Sequence, residues 1–419
     1  METYKFLFDL GIILLSTKLL GLITRRIHMP QVVGALLAGL LLGPGVLGII
    51  TQTEFINYTA EVGVVVLMFC AGMETDVSEL KRSGKASFII AIIGVIVPLI
   101  GGYFVMSLFN KPNMIASDAT ASIFLQNVFI GVILTATSVS ITVETLKELG
   151  KLKTHSGNAI LGAAVIDDIL GIIALTLITS MADSSINIWV VLLKIVGFFV
   201  FSAIAGFLFY RFFTLWSNRS DVGLQRHAIV AFVFCLFMAF VAEEFFGVAD
   251  ITGAYIAGII ISSTQKEPYL AARFDVLSYL YLSPIFFASI GLKVNLPEMN
   301  ATVVAFAVAL TIVAILTKVV GCGLGAKLCH YKNYQALRIG VGMISRGEVA
   351  LIVASKGAAL GLIGSQFIGP VVIVVIVTTI IAPILLKPVF RFGPTIPLDS
   401  SGFFKIFEDL ERIQRGQHK

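Results

Sequence analysis

Two adjacent carboxylates, Asp167 and Asp168, sit in the middle of an apolar run, Ala159 to Ile178, that carries no other charge. The run is long enough to span a bilayer, which takes about 20 apolar residues. One acid at bilayer depth costs about 2.5–3.5 kcal/mol on insertion scales. A neighbouring acid adds to that, because each carboxylate disfavours ionisation of the other. A chain that keeps such a pair uses it, and the chemistry open to the pair is binding a cation, a proton, or each in turn. On a helix the two side chains project about 100° apart. One can therefore face an ion path while the other meets a neighbouring helix. A purely structural role accounts for one buried acid more readily than for two.

The rest of the chain agrees with a membrane setting. Of its 419 residues 57% are hydrophobic and 13% charged, against roughly 25% charged in soluble domains. The first apolar segment lacks a basic leader and runs into Thr24-Arg-Arg-Ile-His rather than a small-residue cleavage site, so it reads as a retained helix. Cys70, Cys235, Cys322 and Cys329 have no metal-like spacing and read as packing residues. No glycine-rich nucleotide loop is present, and no nucleophile–histidine pair lies in a soluble segment. ATP-driven pumping and enzyme chemistry therefore have no support, and neither a cofactor nor a nucleic-acid partner is expected.

Apolar spans fall near 5–23, 30–50, 59–74, 86–109, 123–146, 157–181, 187–213, 226–244, 247–263, 273–291, 302–326, 335–358 and 366–390, thirteen in all. The basic residues alternate with them. Odd-numbered connections hold Arg25 and Arg26, Lys81, Arg82 and Lys85, Lys147, Lys151 and Lys153, Arg211, Arg219 and Arg226, Lys266 and Arg273, and Lys327, Lys332 and Arg338. The other side holds only Lys5, Lys111 and Lys293. The positive-inside rule then places the N-terminus outside and the C-terminus in the cytoplasm. The expectation is an all-α integral membrane protein of the cell membrane (a bacterial inner or plasma membrane), with a transmembrane domain over 1–396 and a short cytoplasmic tail over 397–419. Phe403, Phe404, Phe407, Leu410 and Ile413 could give that tail an amphipathic interfacial helix or belong to a solvated segment.

The chain also repeats. Gly34-Ala-Leu-Leu-Ala-Gly-Leu-Leu-Leu42 matches Gly253-Ala-Tyr-Ile-Ala-Gly-Ile-Ile-Ile261, and the same register brings Gly72 onto Gly291. The units begin seven spans apart. An odd separation reverses the direction of crossing, which is the inverted-repeat plan of many secondary transporters.

Three further constellations carry chemistry. Lys318 lies far from either end of its apolar span and needs a buried counter-charge, unlike Lys18, Lys194 and Lys356, which can reach an interface. Leu134-Thr-Ala-Thr-Ser-Val-Ser-Ile-Thr142 places five hydroxyls close together. That composition suggests a locally unwound stretch whose oxygens suit sodium, lithium or potassium rather than a soft metal. Gly340-Val-Gly-Met-Ile-Ser-Arg-Gly-Glu348 has a similar irregular signature. Arg346 and Glu348, two apart, do not face one another on a regular helix. Either the helix breaks there or each pairs elsewhere. Glu243 and Glu244, beside an outer loop, read as solvated.

Together, the Asp-Asp pair, Ala-Thr-Ser, the central lysine and Ser-Arg-Gly-Glu resemble the monovalent cation:proton antiporter-2 family over about residues 5–390. The pattern is closest to its NapA-type sodium/proton antiporters and is also similar to GerN-type spore-germination exchangers. The resemblance implies an NhaA/NapA-like fold in which two broken helices cross near the bilayer centre. A six-helix core would move against a dimerisation subdomain in a homodimer. By position, Asp168 would be the main cation and proton carboxylate, Asp167 would pair with Lys318, Thr137 and Ser138 would lie in the unwound crossing, and Glu348 would match the acid of the second broken helix. Asp-Asp with the lysine implies electrogenic exchange of a monovalent cation for protons. The absence of a C-terminal nucleotide-binding domain sets the chain apart from potassium-efflux members. A sodium-coupled symporter of an organic solute on the same fold is the competing expectation.

Overall fold

The computed structural model describes residues 4–26, 29–75, 77–111, 114–115, 117–182, 188–217, 224–293 and 300–394. Each apolar run contains helix. The helices are α1 (Lys5–Arg26), α2 (Gln31–Leu42), α3 (Glu54–Met73), α4 (Val77–Phe109), α5 (Ile123–Thr135), α6 (Val139–Glu148), α7 (His155–Ala182) and α8 (Ile188–Ser217). They continue as α9 (Leu224–Phe246), α10 (Asp250–Ser262), α11 (Glu267–Leu277), α12 (Ser283–Leu292), α13 (Ala301–Leu328), α14 (Asn333–Gly342), α15 (Glu348–Ala359) and α16 (Ile368–Val389). No strand occurs among the described residues.

Ten helical stretches are long and apolar enough to cross a bilayer, with α5 and α6 taken as one stretch and α11 and α12 as another. Three apolar segments are shorter: α2, α10 and Val349–Ala358 within α15. At 1.5 Å per residue α2 is only about 18 Å long, against a hydrocarbon core of about 30 Å. The hydropathy pattern carries this span to residue 50, yet the helix stops at Leu42. Gly43 takes up extended backbone (φ −74°, ψ 174°), and Pro44 cannot continue a helix.

Local chemistry sets other ends. The side chains of Thr53, Ser122 and Asn300 accept the N–H groups of Ile56, Leu125 and Val303, capping α3, α5 and α13. Gly150 (φ +64°) and Gly361 (φ +66°) end α6 and α15 in the left-handed conformation. There Lys151 N–H reaches Leu146 C=O and Leu362 N–H reaches Gly357 C=O, each at 2.8 Å, closing the last turn.

The helices sort into two packed groups. In one, α4 runs along α13, α5 and α7, while α13 also holds α14 and α16. In the other, α10 packs on α3 and α9, and α2 packs on α1 and α12. The groups meet where α6 touches α2 and α3, where α16 touches α2, and where α7 touches α8.

The sequence repeat reappears as packing. A Cβ at Gly39 would lie 1.9 Å from the Ala288 carbonyl oxygen, and one at Gly258 would lie 2.3 Å from the Phe69 carbonyl oxygen. A Cβ at Gly72 would lie 2.2 Å from Tyr255 O, and one at Gly291 would lie 2.6 Å from Leu36 O. Moving every residue by the repeat offset converts one contact of each pair into the other, as a two-fold relation between units demands. The glycines bring α2 onto α12 and α3 onto α10 at backbone distance.

The peripheral charges stay at the periphery. Lys194, Lys356, Glu243 and Glu244 are exposed, and Lys18 reaches the hydroxyl of Tyr279 with its ammonium over that ring. The helix considered for 403–413 lies outside the described residues.

Replacing Gly39 with alanine should destabilise the protein by about 1–3 kcal/mol, the usual cost of overpacking. Gly11→Ala, where nothing lies within 4 Å of the new methyl group, should leave the melting temperature in detergent unchanged or slightly higher. Equal melting temperatures for the two variants would contradict the close helix approach.

Candidate functional site

Two helices are interrupted. The chain leaves helical geometry over residues 136–138, between α5 and α6, and over 343–347, between α14 and α15. Each break frees backbone groups that a membrane interior cannot hydrate. The two breaks satisfy one another. Ser138 N–H donates to Ser345 C=O at 2.7 Å, and the Ser345 hydroxyl donates to Ser138 C=O at 2.9 Å. Thr142 on α6 donates its hydroxyl to Gly342 C=O, the last residue of α14, at 2.8 Å. Gly347 is required at the contact, since a Cβ there would lie 2.7 Å from Ser138 Oγ.

Arg346 closes the remaining gap. Its guanidinium is fully buried and donates to the carbonyls of Leu134, Ile344 and Ala314, each at 2.9 Å. Leu134 lies in the last turn of α5, where helix carbonyls have no intrahelical partner. The positive charge also suits the negative end of that helix. Thr379 of α16 donates its hydroxyl to Arg346 C=O. At this motif the helix breaks, and Arg346 pairs with backbone rather than with an acid. The backbone of Glu348 begins α15; its side chain lies outside the described residues.

On α7 the two carboxylates separate as the helix geometry requires. Asp167 is buried, and each of its oxygens lies 3.0 Å from Lys318 Nζ on α13. Both side chains are sealed from solvent, at 0% exposure. Asp168 is half-buried, with no hydrogen bond or ion pair to a described residue. Thr137 at the first break faces Asp167, and its hydroxyl is buried without a well-formed hydrogen bond. Ser138 is more committed, because its N–H and C=O hold the crossing and its hydroxyl meets Ser140 Oγ at 3.3 Å. The structure thus brings Asp167, Lys318, Thr137 and Arg346 into one cluster, with Asp168 beside it. The available donor set, a free carboxylate and an unengaged hydroxyl, consists of hard oxygens. It fits an alkali cation or a proton and offers nothing to a soft metal.

Sequence reasoning passed over Gly94 on α4. A Cβ there would lie 2.5 Å from Cys322 Sγ and 3.9 Å from Asp167 Oδ1. The glycine leaves room for the Cys322 thiol where α4 meets α13, beside the ion pair. A glycine inside a long apolar helix was the available signal, but nothing in the sequence shows what it abuts.

Removing one partner of a buried ion pair leaves an uncompensated charge and costs about 3–5 kcal/mol. Lys318→Gln should therefore lower the melting temperature in detergent, and adding Asp167→Asn to it should recover part of the loss. A double variant as unstable as the sum of the single losses would mean that the two groups do not stabilise each other.

The chain matches the family described as "Sodium/hydrogen exchanger, transmembrane" over residues 11–392. It is 38% identical to the Na(+)/H(+)-K(+) antiporter GerN of Bacillus cereus over 391 residues, covering 93% of this chain and 97% of the relative. It is 41% identical to the probable Na(+)/H(+) antiporter GerT of the same organism over 389 residues, covering 92% and 99%. Its fold is similar to the solved sodium proton antiporter MjNhaP1 of Methanocaldococcus jannaschii, with a TM-score of 0.67 at 19% identity over 93% of this chain and 98% of that one. Ten bilayer-length helices, a pair of mutually satisfied helix breaks and these likenesses have one conclusion: the chain is a multi-pass membrane protein of the sodium/hydrogen exchanger family.

Proposed function

We propose that this protein exchanges a monovalent cation, sodium with lithium or potassium as alternatives, for protons at Asp168. The observation that carries this reading is the unequal treatment of two neighbouring acids. Asp167 is engaged by Lys318, while Asp168, its neighbour on α7, has no hydrogen bond or ion pair to a described residue. Relatives named as Na(+)/H(+) antiporters support it. They give no support to a solute symporter.

The mechanism follows from the cost of charge in a low-dielectric interior. At low proton activity the ionised Asp168 carboxylate, with Thr137 and nearby oxygens, binds a dehydrated cation. A proton arriving at Asp168 neutralises the site and releases the cation. Only a loaded site crosses, because an uncompensated carboxylate in hydrocarbon is costly. Asp167 and Lys318 part and rejoin during the cycle, so Lys318 carries a second proton and the exchange moves net charge. Arg346 supports the crossing rather than binding the cargo.

The same reading assigns the architecture. Thirteen crossings arise from the ten long stretches together with α2, α10 and the broken α14–α15, with the N-terminus outside and the C-terminus in the cytoplasm. Residues 1–396 form the exchange domain. Within it α4–α7 and α13–α16 make a core that carries Asp168 past the other helices, which form the dimerisation subdomain of a homodimer. Residues 397–419 are a cytoplasmic tail.

In proteoliposomes, adding sodium, lithium or potassium outside should alkalinise the lumen. Asp168→Asn should abolish that response while keeping a folded, monodisperse protein, and normal exchange by this variant would refute the assignment. Because proton and cation compete, the apparent cation affinity should weaken as pH falls, with the maximal rate recovered at high cation concentration. On a solid-supported membrane, wild-type protein should give a net current and Lys318→Gln should change the charge moved per cation. An unaltered current per cation would make Lys318 structural only.

A further inference from the structure

The foot of α6 is built differently from the rest of the molecule. Lys147 pairs with Glu74, at the C-terminal end of α3, at 3.3 Å, and with Asp275 on α11. The next residue, Glu148, accepts the Gln31 N–H with both carboxylate oxygens at 2.7 Å. Gln31 opens α2, whose own N-cap residue is Pro30 and supplies no capping side chain. The first turn of α2 therefore takes its cap from the other helix group, and a carboxylate there also suits the helix dipole.

These charged contacts cross the boundary between the two groups at the end of α6, beyond the apolar packing that Val143 and Leu146 share with the core. A cavity of about 570 Å³ lies there. Glu144, Lys147 and Glu148 of α6 line one side of it, and α1, α2, α11 and α12 line the other. By contrast, α2 meets α12 and α3 meets α10 at backbone distance through glycine. The bridges also differ from the Asp167–Lys318 pair in their exposure to water. Lys147 is 25% exposed, with Glu74 at 17% and Asp275 at 42%. Water can replace the partners of such groups as they separate, so these contacts break and re-form at lower cost than a fully buried pair. Charged, partly hydrated contacts at the foot of α6, beside an open volume and next to the apolar packing of Val139, Ile141, Val143 and Leu146, are the features of a joint that opens.

We propose that Lys147 and Glu148 are a latch: they fasten α6, the half-helix that leads from the first break, to α2, α3 and α11 in one access state, and the latch opens in each exchange cycle. This rests on the assignment of α4–α7 and α13–α16 as the moving core. The latch makes Lys147 a gating residue remote from the cation. Its pairs stabilise the state seen here and must be lost in the opposite state.

The test is a reversible bridge across the joint. Lys147→Cys and Asp275→Cys are combined in a background whose four native cysteines are replaced, reconstituted into proteoliposomes, and joined with a disulfide-cleavable bifunctional thiol reagent. Sodium-driven proton flux should stop on bridging and return on reduction. Each single-cysteine variant given the same reagent should keep its own untreated rate. A control bridge between Lys18→Cys and Tyr279→Cys, both on the far side of the boundary, should leave flux intact. Should the first pair fold poorly, Gln31→Cys with Glu148→Cys crosses the same joint. Flux that persists after complete bridging of α6 to α2 or α11 would overturn the latch, as would equal arrest by the control bridge. Absence of any cation-driven proton flux before bridging would instead overturn the exchange reading itself.

Discussion

The mutual satisfaction of two broken helices is the constraint on which the rest of this structure depends. Backbone groups released inside a membrane cannot turn to water, and each one left unpaired costs several kcal/mol. One break alone would be a liability. Crossed, each supplies what the other lacks: Ser138 and Ser345 exchange backbone and hydroxyl hydrogen bonds, and Thr142 covers the end of α14. Arg346 takes three further carbonyls at once. A lysine could not reproduce this, because its three donors radiate from one nitrogen whereas the guanidinium presents five in a planar fork. With the backbone paired, the Thr137 hydroxyl is left without a well-formed hydrogen bond among the described residues.

Against that frame of crossed helices, the two acids on α7 divide the work. Asp167 is held by Lys318 in a sealed position. Asp168, one position further round the helix, remains open. The partly hydrated pairs at the foot of α6 work in the opposite regime, where breaking is cheap. The sealed pair and the partly hydrated pairs are two uses of the same Coulomb attraction, separated by access to water.

Much of this was legible in the sequence. Runs of apolar residues locate the helices, since the length of a span is set by the bilayer and not by a partner. Glycine matches reveal the repeat, and they become visible as reciprocal contacts at Gly39 and Gly258. The hydroxyl cluster and the Ser-Arg-Gly motif both fall where helices break. The helix end at Leu42 was missed because hydropathy weighs Gly43, Pro44 and the following apolar residues together and ignores backbone geometry. The partners of Arg346 and the contact at Gly94 were hidden for a different reason: carbonyl oxygens have no residue signature. Lys147 looked like a loop charge and Glu148 drew no reading, because Asp275 and Gln31 lie more than a hundred residues away in sequence.

The central claim is that a cation and a proton exclude each other at one carboxylate. The most direct measurement is proton release on cation binding, followed with a pH indicator in weakly buffered detergent solution of the purified protein. Sodium or another alkali cation should displace protons as it saturates the site, and the release should shrink at high pH, where the carboxylate is already ionised. Saturable cation binding with no proton release near the pH at which exchange is active would contradict the account.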